Sequence, residues 1–234
     1  MTRKIAEILV SAVLLLVLAG NGMPEKEKPA EIAARGIDVS SHQGVIDWQA
    51  VGRTATGFAV IRCGVSVGDG FQKDRYFEEN YAGARKAGLD VGCYLYTDAV
   101  SREQMKTDIS AALAVLDGRE LTLPFFLDIE TAAQKRMPDF VLTGIAADGC
   151  GQIEEAGYKA GVYSNYSFLR RELNSSSLVR KGYSLWMARY PLIGAPVNPA
   201  EYDFSRYAYW QYSDSGKIDG IEGPVDLNVM YQKG

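Results

Sequence analysis

Two carboxylates one residue apart end the apolar run Leu123-Pro124-Phe125-Phe126-Leu127-Asp128-Ile129-Glu130. Side chains of a strand alternate faces, so Asp128 and Glu130 point to the same side. Two neighbouring carboxyls cannot both ionise freely; one keeps its proton while the other carries charge. A protonated carboxyl beside an ionised one is the equipment for breaking a glycosidic bond. A solvated strand end looks the same, so the pair needs company. Asp38 supplies it near the end of Gly36-Ile37-Asp38-Val39-Ser40, and Asp226 in Val225-Asp226-Leu227-Asn228. The bland alternative for each is an aspartate forming a turn.

Aromatic residues recur in matching positions: Tyr94 and Tyr96, Tyr163 and Tyr166, Trp186 and Tyr190, and Trp210 followed by Gln211 and Tyr212. Tyrosine and tryptophan pair an apolar face with a polar edge, which suits sugar rings, although each taken alone also suits a core. The single histidine, His42, would have to carry any Ser–His–Asp chemistry, and no G-x-S-x-G motif accompanies it. One histidine also excludes a multi-histidine metal site, so neither a metal nor a cofactor is expected. Gly64–Gly70 lacks the lysine and spacing of a phosphate loop and reads as a strand–helix loop. Cys63 and Cys93 lie in consecutive strands as potential neighbours, and Cys150 lies in a helical pattern; all three read as buried free thiols.

Positioning these groups falls to eight short apolar segments: Gly36–Ser40, Phe58–Cys63, Asp90–Tyr96, Leu123–Ile129, Ala160–Tyr163, Ser184–Ala188, Tyr207–Tyr212 and Val225–Met230. Helical patterns separate the early ones, at Asp74–Ala87, Ser101–Leu116, Asp139–Ala156 and Asn165–Glu172, with Gly88, Gly118 and Gly157 where helix ends fall. Alternation of this kind predicts a parallel sheet covered by helices, and eight strands in about 200 residues fit a closed barrel. The last three strands have little helix between them, and Gly194–Tyr202, with Pro196 and Pro199, reads as loop. In a closed barrel the acids of the first, fourth and last strands converge at one mouth.

The chain has 234 residues, 25 Lys+Arg against 29 Asp+Glu, and 47% hydrophobic residues. That composition excludes a disordered chain, and the acidic balance argues against nucleic acid as a partner. At the amino end, basic Thr2–Lys4, apolar Ile8–Ala19 and small Leu18-Ala19-Gly20 follow the order of a secretory signal. Residues 1–20 are therefore expected to be a signal peptide or an uncleaved anchor. Any membrane tether would run through residues 5–20, and the protein would be secreted or held at the cell envelope. Residues 21–34 read as a linker and 35–234 as the catalytic domain, acting as a monomer.

Several motifs in order resemble glycoside hydrolase family 25 lysozymes. They are Gly36-Ile37-Asp38-Val39-Ser40-Ser41-His42-Gln43-Gly44 with Ile46-Asp47-Trp48, then Ala87-Gly88-Leu89 leading to Gly92-Cys93-Tyr94. Asp128-Ile129-Glu130, Gly161-Val162-Tyr163-Ser164-Asn165 and Leu185-Trp186-Met187-Ala188-Arg189-Tyr190 continue the series. Trp210-Gln211-Tyr212-Ser213 and Gly223-Pro224-Val225-Asp226-Leu227-Asn228 complete it. Departures are His42, Tyr94-Leu95-Tyr96 in place of tyrosine–histidine–phenylalanine, and Arg62-Cys63-Gly64 with its following loop.

The resemblance implies a modified TIM-like α/β barrel of five β/α units followed by three helix-poor strands, (β/α)5(β)3. It implies an N-acetylmuramidase that cuts the β-1,4 bond between N-acetylmuramic acid and N-acetylglucosamine in the glycan strands of peptidoglycan. Carried over by motif, Glu130 is the general acid, Asp128 orients the substrate's 2-acetamido group, and Asp38 and Asp226 complete the acidic site. Tyr94, Tyr96, Tyr163, Trp186, Trp210 and Gln211 are the candidate sugar contacts. Two routes stay open: attack by the acetamido oxygen, favoured because both carboxyls leave one strand, or direct activation of water with inversion. The alternatives to this function are a barrel that binds wall glycan without cutting it and a hydrolase of another N-acetylated glycan.

Overall fold

The computed structural model describes residues 31–68, 70–191 and 206–232. The expected export segment, most of the linker and the Gly194–Tyr202 loop lie outside the described residues. Strands β1 (Ile32–Val39), β2 (Phe58–Val67), β3 (Gly70–Lys73), β4 (Asp90–Thr97), β5 (Phe125–Asp128), β6 (Ala160–Asn165), β7 (Ser184–Ala188), β8 (Tyr209–Gly216) and β9 (Val225–Tyr231) form one sheet. Its order is β1-β9-β8-β7-β6-β5-β4-β2-β3, and the additional β1–β2 pairing closes eight of the strands into a barrel. Helices α1 (Trp48–Val51), α2 (Phe77–Lys86), α3 (Arg102–Leu116), α4 (Asp139–Glu155), α5 (Tyr166–Arg171) and α6 (Ser175–Arg180) connect the first six barrel strands and lead into β7. This is a modified TIM-like barrel: five β/α units, then three strands without intervening helix among the described residues.

All eight expected strands are present, with differences that have physical causes. β1 begins at Ile32, upstream of the expected boundary at Arg35, because Ile32 pairs with Tyr231 of β9. β9 runs antiparallel to both β8 and β1, so the barrel is not wholly parallel. The segment read as a strand–helix loop is instead the end of β2 turning into β3, an antiparallel hairpin outside the ring. Its register pairs Gly64 with Lys73 and Val67 with Gly70. Helices α1 and α6 were not expected from the sequence; α1 is a single turn of four residues.

Alternation along each strand sorts side chains into two apolar layers. Outward residues such as Ile61, Leu95, Leu127, Val162 and Met187 pack under the helices. Inward residues form an aromatic plug of Phe58, Phe126, Tyr163, Trp186 and Tyr209. Phe126 meets Trp186 at 5.1 Å and Tyr209 at 5.2 Å between ring centroids, both edge-on. Glycines make room for these rings: a Cβ on Gly161 would fall 2.6 Å from the Phe126 ring, and one on Gly36 would fall 2.4 Å from Phe58. The plug fills the barrel floor, so polar chemistry is confined to the mouth. Helix ends are fixed locally. The Ser101 hydroxyl accepts from the Gln104 amide at 3.1 Å to start α3, and Gly88, Gly118 and Gly157 take positive φ after α2, α3 and α4.

Candidate active site

Asp128 is the last residue of β5, and Asp38 lies one residue from the end of β1. Asp226 reaches the same mouth because β9 runs the other way: its second residue stands directly opposite Asp38. Asp38, Asp128 and Asp226 line a cavity of about 170 Å³ together with Tyr94, Tyr163, Trp186, Tyr190 and Gln211. Seven barrel strands and the chain after β7 thus supply its walls. Glu130 follows beside the cavity, half-buried, outside its lining. The Ile129 amide donates to the Tyr163 carbonyl at 3.0 Å, and the Ser164 hydroxyl donates to the Ile129 carbonyl at 2.6 Å. These bonds extend the β5–β6 ladder past Asp128 and hold the backbone that carries Glu130. The Asn165 side chain hydrogen-bonds Glu130 while its Oδ1 accepts from the Phe168 amide at 3.0 Å to start α5.

Asp38 is buried and well supplied with donors. Gln211 Nε2 donates to its Oδ2 at 2.9 Å and Asn228 Nδ2 donates to the same oxygen at 2.7 Å. Gln211 in turn accepts from Tyr163 Oη at 2.9 Å and Tyr190 Oη at 2.7 Å, and Asn228 accepts from Trp186 Nε1 at 2.8 Å. Asp128 is different. It is 5% exposed, and its Oδ1 is buried with no hydrogen-bond partner. A buried unpartnered acceptor costs free energy, so a site that keeps one is shaped for a donor that arrives from outside.

Proton affinities follow from burial and from neighbouring charge. Desolvation lifts Asp128 well above the usual carboxylate range, and the Glu130 and Asp38 charges lift it further; Arg62 opposes them. Desolvation also raises Glu130, against the Asn165 hydrogen bond, which favours its anion. Desolvation and then the Asp38 charge push Asp226 up to about 8. Arg62 is anchored on β2 by Asp74, with Nη2 at 2.8 Å from Oδ2, and by a bond from Nη2 to Ser41 Oγ at 3.0 Å.

The fold brings most of the expected residues together. Asp38, Asp128, Asp226, Tyr94, Tyr163, Trp186 and Gln211 share the cavity, and Glu130 adjoins it. Tyr96 lies outside the lining, half-buried, where the charges of Asp128 and Glu130 still act on its hydroxyl. Trp210 requires correction as a sugar contact. It is 1% exposed and packs in the outer layer, because alternation along β8 turns Gln211 inward and Trp210 outward. Its Nε1 donates to the Arg189 carbonyl at 2.8 Å, which anchors the chain after β7. His42 is exposed on a single 3-10 turn, Ser41–Gln43. The three cysteines are free and buried, and the Cys63 thiol donates to the Tyr94 carbonyl at 3.2 Å. Tyr190, read among the strand-end aromatics, joins the cavity lining, whereas Asn165, Asn228 and Arg62 stand at the site but were not among the expected site residues. The motifs around Asn165 and Asn228 held the only signal, since an amide has no pattern of its own.

A carboxyl that keeps its proton beside a second one awaiting a polar substituent is what cleavage of an acetal asks for. On a barrel whose strand ends supply both, it defines a glycoside hydrolase. The comparisons narrow the class. The model of the family described as glycosyl hydrolases family 25 matches residues 37–221, and the chain belongs to that family. Lysozyme M1 from Streptomyces globisporus is 30% identical over 209 residues, covering 86% of this chain and 69% of that protein. The modular autolysin LytC from Streptococcus pneumoniae superposes with a TM-score of 0.68 at 26% identity, over 85% of this chain and 46% of that one. The bacterial lysozyme from Streptomyces coelicolor shares the fold, with a TM-score of 0.67 at 24% identity, covering 84% and 91% of the two chains.

Proposed function

We propose that this enzyme is a lysozyme that hydrolyses the β-1,4 bond between N-acetylmuramic acid and N-acetylglucosamine in peptidoglycan. The observation that carries the assignment is the pairing of Asp128 and Glu130 at the end of β5: both carboxyls have raised proton affinity, Asp128 buried with a free acceptor oxygen and Glu130 half-buried where it can hand its proton on. Membership of the family supports it, as does the solution of the pneumococcal relative with a synthetic peptidoglycan ligand.

Glu130 acts as the general acid and gives its proton to the leaving glycosidic oxygen as the C1–O bond breaks. Asp128 Oδ1 accepts the N–H of the sugar's 2-acetamido group, a donor that none of the described residues supplies. This holds the acetamido carbonyl oxygen toward C1, where it displaces the leaving group and forms a cyclic intermediate. Water then opens that intermediate, with the Glu130 carboxylate taking its proton, and the configuration is retained. Direct water attack from the far side would need a base across the sugar, whereas Asp128 and Glu130 leave the same strand end on the same side. Tyr94, Tyr163, Trp186 and Tyr190 wall the cavity beside the reacting ring. The enzyme works outside the cytoplasm as a monomer, exported or tethered by residues 1–20.

Mass spectrometry of borohydride-reduced products from purified peptidoglycan tests this reading. New reducing ends on N-acetylmuramic acid are the expected result. Ends on N-acetylglucosamine would overturn the bond assignment, and binding without turnover would favour a wall-binding barrel.

A further inference from the structure

We propose that Asn228 and Gln211 are positioning residues that fix the negative charge on Asp38, so that Asp38 and Asp226 together hold a single proton, carried by Asp226. Asp38 and Asp226 are direct cross-strand partners on β1 and β9. Two like charges in that relation repel, and one shared proton turns the repulsion into a hydrogen bond. Which partner keeps the charge is decided by the two amides. An indole N–H is only a donor, so the bond from Trp186 Nε1 must end on the Asn228 carbonyl oxygen, leaving Asn228 Nδ2 to face Asp38. A phenol can donate or accept, so Tyr163 and Tyr190 do not force Gln211 as Trp186 forces Asn228, but both meet Gln211 Oε1 while Gln211 Nε2 meets Asp38. Both amides therefore deliver hydrogens to one oxygen, Oδ2, which keeps the proton off that oxygen, and donors converging on it favour the ionised form of Asp38. Asp38 Oδ1 is left for the proton of Asp226.

Other charges around the pair push the same way or lie farther off. Tyr94 on β4, Asp128 and Glu130 at the end of β5, Tyr163 on β6, Tyr190 after β7 and Asp214 on β8 are neutral or acidic, and Arg62 on β2 is the cation. Of these, Asp214 adds to the proton affinity of Asp226. Arg62 spends its guanidinium on Asp74 and Ser41, so it does not replace the proton between the two aspartates. The consequence for the reaction is electrostatic. The pair brings one negative charge to the cavity instead of two, which spares Asp128 an added repulsion while it waits for the substrate's N–H.

This inference deepens the lysozyme reading, but its test needs no substrate, so the two can fail separately. The full chain labelled with 13C-aspartate is titrated by carboxyl NMR, with the two resonances assigned from Asp38→Asn and Asp226→Asn. The expected result is one proton held by the pair at neutral pH and released near pH 8. Gln211→Leu and Asn228→Leu, each removing a donor to the anion, are expected to move the pair's earlier proton release, in which Asp38 itself ionises, upward by about one pH unit, because Asp38 is anionic on both sides of the later one. A role confined to packing would change melting temperature and leave the release unmoved. Both carboxyls already ionised by pH 6 in the wild type would overturn the proposal, whether or not the variants fold. An unchanged earlier release in a folded Gln211→Leu or Asn228→Leu would overturn the role given to that amide.

Discussion

At the scale of residues, the acid, its neighbour and the groups that hold them have separable effects. Asn165 favours the Glu130 anion and also caps α5. Asn165→Ala is therefore expected to shift the alkaline limb of the kcat/KM profile upward, because Glu130 then holds its proton to higher pH. The same change should cost about 1 kcal/mol of stability through the lost cap, read by denaturant unfolding. Asp226 gives the opposite trade. Its affinity rises from an ordinary 3.8 to about 8, so the folded state binds the proton more tightly than the unfolded chain. That stabilisation is complete below the ordinary aspartate value and is lost as pH rises toward 8. Asp226→Asn removes the titration, and above pH 8 it should raise stability by about 1–2 kcal/mol after allowing for solvent screening, while activity falls. The carboxylates were legible in sequence because an acid closing an apolar strand breaks a pattern. Asn165 and Asn228 were not, since a neutral amide at a strand end is ordinary until its partners are known.

Elements are the level at which sequence reading was most complete and its errors most regular. All eight barrel strands and helices α2 to α5 follow from apolar runs, caps and terminal glycines. The direction of β9 does not follow, because a period of two reads the same both ways; only the barrel tells that Asp226 reaches the mouth from the start of its strand. The orientation of Trp210 has the same root, since alternation fixes that Trp210 and Gln211 face opposite sides but not which side is inward. The hairpin strand β3 is mostly exposed and polar, so it left no apolar run to read. Two substitutions test the packing. Gly161→Ala drives a Cβ into the Phe126 ring at 2.6 Å and toward the Ser184 carbonyl at 2.7 Å. A loss of about 1–3 kcal/mol is expected in chemical denaturation, together with disturbed activity, because Gly161 stands two residues before Tyr163. Ser101→Ala should cost about 1 kcal/mol through the start of α3 and leave kcat unchanged, since Ser101 touches no cavity residue.

For the whole molecule, closing the sheet assembles the site. Asp38, Asp128 and Asp226 lie as far as 188 positions apart in the chain and meet only when β1 pairs with both β2 and β9. The same closure explains part of the tyrosine content: Tyr163 and Tyr209 fill the interior, and Tyr94 and Tyr190 wall the mouth. Net acidity is thereby put to use at one end of the barrel, where burial converts excess carboxylates into groups that retain protons. The most direct test is the rate of reducing-end release from purified peptidoglycan by the wild type and by Glu130→Gln, each checked for fold by thermal melting. The expected result is release by the wild type and a loss of at least about 100-fold in the variant, at nearly unchanged melting temperature, because the amide keeps the shape and lacks the transferable proton. Near-normal release by a folded Glu130→Gln would contradict the assignment of Glu130 as the acid.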